Sequence, residues 1–267
     1  MGRSGTSGRR RPRNPRLDSV STLLLALAAG AVVGAALGAL GGGGSVLAVP
    51  ALIYLLGFTP AAATTASLII VTATSATSLY AHATSGNVRW RTGALFAAAG
   101  IPPAVAAAAL SARLPGHLLT AAFAAVAGLA ALSMLKSPAP GNEIRPVRPV
   151  RAAGAGAGLG AVTGFLGVGG GFLAVPALVG VLGLRMRVAV GTSLLVITVN
   201  SLAALTVRTG GAAPLDWAVV APFTGAAVLA AWDGKRLAAS VEGPTLQRIF
   251  AVVLLSVAVL MLIDTLR

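Results

Sequence analysis

Ten apolar segments, separated by short polar connections, follow one another along this chain of 267 residues. Several of them approach the roughly 20 residues that a helix needs to cross a lipid bilayer. Charged residues make up 10% of the chain. A water-soluble domain carries about 25%, so this chain has too few charged residues to cover its surface in water. The segments therefore predict an all-α integral membrane protein.

The segments form two sets of five, each with four long members and one short member. The first set lies at 20–40, 45–57, 61–82, 93–112 and 117–135, and the second at 152–167, 171–183, 188–207, 216–232 and 246–265. We therefore divide the chain into a basic, disordered cytoplasmic tail, a first transmembrane repeat, a polar loop and a second transmembrane repeat: 1–19, 20–135, 136–151 and 152–267.

A duplicated motif supports this division. The stretches GALGGGGSVLAVP (38–50) and GFLGVGGGFLAVP (164–176) are identical at nine of thirteen positions, with an offset of 126 residues. A Ser-Leu pair recurs at the same offset, at 67–68 and 193–194. Internal repeats of this kind are a feature of secondary transporters.

The short segment of each half decides the expected topology. The segment from Ser45 to Gly57 has thirteen residues, about 20 Å as a helix, which is less than the roughly 30 Å of the hydrocarbon core. We expect a re-entrant helix, four spans in each half and about eight in total. If the short segments cross fully, each half has five spans and the two halves are inverted.

Lysine and arginine residues indicate the orientation. Six arginines precede the first apolar segment, which favours a cytoplasmic amino terminus. With eight spans, Arg89, Arg91, the 136–151 loop and Arg208 lie inside. The same count places five basic residues outside: Arg113, Arg185, Arg187, Lys235 and Arg236.

The glycine clusters are the first candidate binding site. Glycine costs a helix interior about 1 kcal/mol relative to alanine, so adjacent glycines break a helix and expose backbone N–H groups to a ligand. The helix that follows directs its positive dipole end at the break, which suits an anion. The candidates are Gly41, Gly43, Gly44, Ser45, Gly167, Gly169, Gly170 and Gly171. The alternative role is close helix packing, which we assign to Gly30, Gly34 and Gly38.

The third segment of each half supplies polar side chains. Ser67, Thr192, Ser193 and Asn200 could donate hydrogen bonds to an oxyanion, or could bond between helices for about 0.6 kcal/mol each. His82 is a candidate for gating or proton transfer, and its alternative role is structural. With two distant histidines and no cysteine, we expect no metal and no cofactor.

Four features together resemble the TauE/SafE family of sulfite exporters over residues 22–265. They are the two glycine loops with Pro50 and Pro176, GTSL at 191–194, HATSGNVRWR at 82–91, and the duplicated halves. The resemblance implies a bacterial or archaeal plasma-membrane permease that exports sulfite or organosulfonates. The chain departs from the family pattern in its fourth glycine and Ser45, in TASL at 65–68, and in Arg208 opposite His82.

We therefore expect a secondary transporter that exports a small anion by alternating access between two repeats. An anion channel, a structural membrane subunit and an intramembrane enzyme are the alternatives. The chain has no Gly-x-Ser-x-Gly elbow for a serine hydrolase. Its net charge of +14 is segregated into tail and connections, which argues against nucleic-acid binding. The expected partners are an anionic substrate and the lipid bilayer, with a homo-oligomer left open.

Overall fold

The computed structural model describes residues 15–111, 116–136, 148–166, 171–208 and 215–266. Every regular element within these ranges is helical, as the sequence predicts. Ten α-helices are α1 (Pro15–Leu40), α2 (Gly42–Pro50), α3 (Pro60–Ala83), α4 (Trp90–Ser111), α5 (Gly116–Lys136), α6 (Pro149–Leu166), α7 (Gly171–Gly180), α8 (Met186–Arg208), α9 (Trp217–Ser240) and α10 (Gly243–Leu266). A π-helical turn, Ala51–Leu55, continues α2.

The described helices have the length and surface of a multi-pass membrane protein. Five stretches are long and apolar enough to cross a bilayer: Val20–Leu40, Ala62–Ala83, Met186–Thr206, Trp217–Ser240 and Gly243–Ile263. Large apolar side chains such as Leu24, Leu229 and Leu260 are exposed on these helices. An extended apolar surface of this kind suits lipid rather than water.

Local sequence signals set the helix boundaries. Gly41 separates α1 from α2 with a φ of 65°, a left-handed conformation that glycine adopts without strain. Thr59 caps the start of α3, because its hydroxyl accepts a hydrogen bond from the amide of Ala62 at 3.4 Å. Asp216 caps the start of α9 in the same way, since its Oδ1 atom accepts a 3.0 Å hydrogen bond from the amide of Ala218. The glycine run therefore ends one helix and begins the next at a single residue.

Two pairs of helices pack with their backbones in direct contact. A methyl group added at Gly30, Gly34 or Gly38 of α1 would overlap the carbonyl groups of Phe223, Ala227 or Ala231 of α9. The residue numbers rise together on both helices, so α1 and α9 are parallel. The glycines of α6 pack on α4 in the same parallel manner: Gly156 on Phe96, Gly160 on Gly100 and Gly164 on Ala104. Small residues allow this close approach.

The first half does not have the helix directions of the eight-span interpretation. The His82 ring at the end of α3 bonds to the Gly38 carbonyl at the end of α1, Nε2 to O 3.1 Å. The π-helical turn after α2 still contacts α1, so this short segment runs back along α1. Consequently α1 and α3 run in the same direction, whereas a re-entrant helix would leave them opposed. The reason is that α2, the π-helical turn and the 56–59 loop together return the chain.

The third helices of the two halves, α3 and α8, run in opposite directions. Ser75 of α3 bonds to Thr198 of α8, with 3.0 Å between the hydroxyl oxygens. Further along, Gly191 of α8 packs on the Asn87 carbonyl and His82. Residue numbers therefore fall on α8 as they rise on α3. This is the relation expected of inverted halves, the alternative that the sequence leaves open.

One end of the bundle, which we call the His82 face, carries basic side chains from three helices, α3, α8 and α9. His82, Asn87, Arg187 and Lys235 line a single cavity there. The amide of Arg89 bonds to the Thr192 hydroxyl at 3.1 Å, which places the 84–89 connection on the same face. The sequence-based assignment of Arg89 to one side of the membrane and of Arg187 and Lys235 to the other is therefore wrong. The error arises because the short segment gives α3 the direction opposite to the one that the eight-span interpretation assumes.

Candidate functional site

The two short helices begin against each other. A methyl group at Gly42, the first residue of α2, would overlap the carbonyl oxygen of Gly171, the first residue of α7. The helix starts that the sequence expects to converge are therefore in van der Waals contact. The first amides of a helix lack partners within it and lie at its positive dipole end. The contact brings two such ends to one place but leaves no space between these two residues.

The predicted glycines have different roles around this contact. Gly41 faces α8, and a side chain there would meet the Ser193 hydroxyl at 2.6 Å and the Val190 carbonyl at 3.1 Å. Gly43, Gly44 and Ser45 lie in the first turn of α2. Gly171 begins α7 and is buried. Gly167, Gly169 and Gly170 lie outside the described residues.

A cavity of about 240 Å³, which we call the central cavity, lies beside this contact. Val46 of α2 and Phe172 of α7, both close to the starts of the short helices, line it. Thr64 near the start of α3 and Met261 near the end of α10 place it towards the end of the bundle opposite the His82 face. Its further lining includes Ser67, Ser201, Tyr54 and Phe123. None of its described lining residues is charged, so backbone dipoles and hydroxyl groups are its polar features.

Two aromatic rings form part of the wall of the central cavity. Phe123 of α5 and Phe172 of α7 are both buried, and their ring centroids are 4.8 Å apart. Tilted ring pairs at this distance are favourable by about 1 kcal/mol beyond their burial. The rings give the cavity one apolar side, next to hydroxyl groups contributed by α3 and α8.

The predicted serines and threonine bond first to their own surroundings. The Ser67 hydroxyl donates to the Thr64 carbonyl at 2.8 Å, and the Ser193 hydroxyl donates to the Val190 carbonyl at 2.8 Å. Such hydroxyl groups rotate, so donation to a ligand requires exchange of the local bond. Thr192 is fully buried and accepts the Arg89 amide, which ties the 84–89 connection to α8. Of these residues, Ser67 lines the central cavity.

Asn200 and Ser201 lie at the polar centre of α8. The Asn200 Oδ1 atom is buried and has no hydrogen-bond partner among the described residues. The Ser201 side chain, one residue further on, lines the central cavity. Burying an amide oxygen without a partner costs free energy, so the Asn200 Oδ1 atom can accept one more hydrogen bond.

His82 is buried rather than interfacial, with 4% of its surface exposed. Because a carbonyl only accepts, the contact with Gly38 requires a proton on Nε2. The Nδ1 atom is buried and has no hydrogen-bond partner within the described residues. His82 also lines a cavity of about 110 Å³ at the His82 face, together with Ser85, Asn87, Arg187 and Lys235. We call this the His82 cavity.

The sequence pattern assigns no binding role to several residues that line the two cavities. Arg187 and Lys235 lie near helix ends, where basic residues indicate topology. Phe123 and Phe172 look like ordinary core residues in an apolar chain. Their approach depends on contacts between helices far apart in sequence, α5 with α7 and α3 with α9. Lys235 within the generally apolar α9 is the one signal that could have indicated a site.

Comparison with known proteins gives a consistent result. The family model described as "Sulfite exporter TauE/SafE" matches residues 26–261. A "Probable membrane transporter protein" of Xylella fastidiosa strain 9a5c is 31% identical over 249 residues, which cover 90% of this chain and 95% of that protein. Its namesake in strain Temecula1 / ATCC 700964 is 31% identical over 250 residues, with the same coverage. No solved structure matches the chain.

Proposed function

Because the chain belongs to the TauE/SafE sulfite exporter family, and is thereby a membrane transporter, we propose that it exports a small anion, sulfite or an organosulfonate. The two Xylella relatives are named as probable membrane transporters, which supports transport rather than catalysis. The substrate class comes from the family description together with the chemistry of the central cavity.

The observation that carries this proposal is the meeting of α2 and α7 beside the central cavity. Two helix starts that touch at Gly42 and Gly171 direct two positive dipole ends into the same region. Hydroxyl groups of Ser67 and Ser201 lie in the adjoining cavity. Backbone dipoles and hydroxyl groups bind an anion without a fixed cation that would hold it too tightly for release. We therefore assign the substrate to the central cavity, next to the first turns of α2 and α7.

Alternating access between two halves is the transport mechanism we propose. The halves are α1–α5 and α6–α10, with five membrane segments each. The crossed pairing of α1 with α9 and of α4 with α6 supports inverted repeats. The central cavity lies towards one end of the bundle and the His82 cavity towards the other, with the α2–α7 contact between them. Rocking of inverted halves opens such a site to each side in turn.

We propose the plasma membrane of a prokaryote as the location, with the amino terminus in the cytoplasm. The six arginines before α1 support this orientation. The central cavity then lies towards the cytoplasm, from which an exported anion enters. The His82 face, with Arg187 and Lys235, is then the outer face, so the orientation rests on the arginines of the tail.

Flux into proteoliposomes tests the proposal. Purified protein is reconstituted and given a panel of sulfite, sulfate, methanesulfonate and acetate, with protein-free liposomes as the control. We expect saturable flux of sulfite or methanesulfonate and little flux of acetate. Flux that rises linearly with concentration favours the channel alternative, and no flux of any sulfur anion refutes the substrate assignment.

A further inference from the structure

The His82 cavity gathers cationic side chains that the proposed substrate site does not use. Arg187 at the start of α8 and Lys235 on α9 meet there, beside His82, Ser85 and Asn87. The volume is about 110 Å³. This space admits several water molecules or one small oxyanion.

Lys235 has no acidic partner in the described part of the chain. The acid nearest in sequence, Asp233, instead lies 3.5 Å from the neighbouring Arg236, on the exposed side of α9. Lys235 itself is half-buried and lines the cavity. The lining residues include no carboxylate. A half-buried ammonium group without a counter-ion favours an anion beside it.

Arg187 is held in place with hydrogen-bond donors to spare. Its Nη2 group donates to the carbonyls of Ala239 and Val241, at 2.9 and 3.0 Å, where α9 ends. A guanidinium group carries five N–H donors, so the protons on Nη1 and Nε remain available to a further acceptor. The two carbonyl bonds reduce the entropy that Arg187 would lose when it binds an anion.

Neutral and imidazole groups complete the cavity. Ser85 and Asn87 lie in the connection after α3, which the Asn87 amide folds back onto the His82 carbonyl at 3.1 Å. Their side chains supply hydroxyl and amide donors. His82 contributes a ring whose Nε2 proton is already given to Gly38, and whose buried Nδ1 lacks a partner among the described residues.

We propose that the His82 cavity is a second anion site, separate from the central cavity, which binds a small sulfur oxyanion through Lys235, Arg187, Ser85 and Asn87. That this anion is the transported one rests on the proposed function, whereas binding itself does not. An anion that enters or leaves the protein at the His82 face binds at this cationic site on its path.

The chain has no cysteine, so a single introduced cysteine can report occupancy in purified protein. Ala239→Cys places the thiol in the cavity without removing a group that binds the anion, and Ser240→Cys is the neighbouring control, which does not line it. Each variant reacts with a negatively charged methanethiosulfonate in sulfate or gluconate at equal ionic strength. We expect sulfate to slow the reaction of Ala239→Cys about threefold at twice its dissociation constant, without slowing Ser240→Cys. Equal slowing at both positions refutes the site.

A neighbouring pair of charge changes makes the test specific. On the Ala239→Cys background, Lys235→Gln is expected to abolish protection by sulfate, whereas Arg236→Gln, which removes the same charge outside the cavity, keeps it. Ala238→Cys, which also lines the cavity, gives a second labelling position if Ala239→Cys folds poorly. Protection that survives Lys235→Gln overturns the proposal.

Labelling and flux separate this inference from the proposed function. If sulfate protects the cavity but proteoliposomes move no sulfite, the site stands and the transport assignment fails. If sulfite flux is normal but sulfate gives no protection, the second site fails and the transport assignment stands. In a transporting protein, Lys235→Gln should raise the half-saturating sulfite concentration at least about tenfold on one membrane side, the effect of losing one charged hydrogen bond.

Discussion

Gly42 of α2 touches the backbone of Gly171 of α7, and a single methyl group at Gly42 would overlap the Gly171 carbonyl. These two glycines therefore have a packing role, whatever ligand the neighbouring turns bind. The first residues of α2 and α7 are in contact, so a displacement of one short helix must displace the other. The contact is also one of several links between the two halves.

Gly42→Ala should destabilise the protein and reduce transport. Overpacking of a backbone contact costs about 1–3 kcal/mol. Gly128→Ala on α5 is the control, because no atom lies within 4 Å of a methyl group there. Thermal unfolding in detergent and sulfite flux measure the two effects. Equal stability of both variants would show that the start of α2 has room for a methyl group, which contradicts the close contact of Gly42 with Gly171.

Gly34→Ala should separate α1 from α9. A methyl group at Gly34 would overlap the backbone of Ala227, with an expected cost of about 1–3 kcal/mol. Gly225→Ala, on α9 itself, adds the same methyl group in open space and should be neutral or slightly stabilising. Thermal unfolding of the purified variants decides, and a destabilised Gly225→Ala with an unaffected Gly34→Ala would contradict the helix pairing.

Ser67→Ala should raise the half-saturating sulfite concentration about fivefold, the loss of one hydrogen bond of about 1 kcal/mol. Ser133→Ala is the matched control. Its hydroxyl makes the same bond to a carbonyl three residues earlier, Ser133 to Ala130 at 2.7 Å, but the side chain is exposed. Concentration-dependent flux gives both values. If the two variants behave alike, Ser67 has only a local role in its helix.

His82→Leu should destabilise the end of α3 by about 1 kcal/mol, because the Gly38 carbonyl loses a donor. His82→Gln retains an N–H donor and should keep more of that stability. Thermal unfolding of both variants measures the difference. Identical melting temperatures would show that the contact with Gly38 does not hold α3 to α1.

Thr84→Cys and Ser240→Cys should react with an impermeant thiol reagent from the same side of the membrane. Both positions are exposed, one in the turn that ends α3 and the other at the end of α9. The eight-span arrangement places them on opposite sides, since it puts Arg89 inside and Lys235 outside. Labelling of intact cells compared with permeabilised cells separates the two topologies.

The segments themselves could be predicted from the sequence, because apolar runs, glycine breaks and helix caps are local signals. The break at Gly41 and the packing of Gly30, Gly34 and Gly38 are of this kind. The direction of α3 was not predictable in the same way. It depends on the π-helical turn Ala51–Leu55 and on contact of the short segment with α1, neither of which changes the apolar pattern.

The site divides in a similar manner. The convergence of α2 and α7 could be inferred, because a duplicated break in two related halves leads naturally to one meeting point. The grouping of Arg187, Lys235 and His82 could not, because each lies on a different helix and each has a plausible role in topology. Their approach follows from the packing of α9 against α1 and α3.

The crossed pairing of α1 with α9 has a consequence for biosynthesis. When α1 enters the bilayer, the helix that covers its glycine stripe has not yet been translated, and α6 in turn needs α4 from the other half. Neither half holds a complete set of neighbours, so a fragment ending in the 136–151 loop should be degraded when made alone. Two fragments produced together from separate messages should rescue each other.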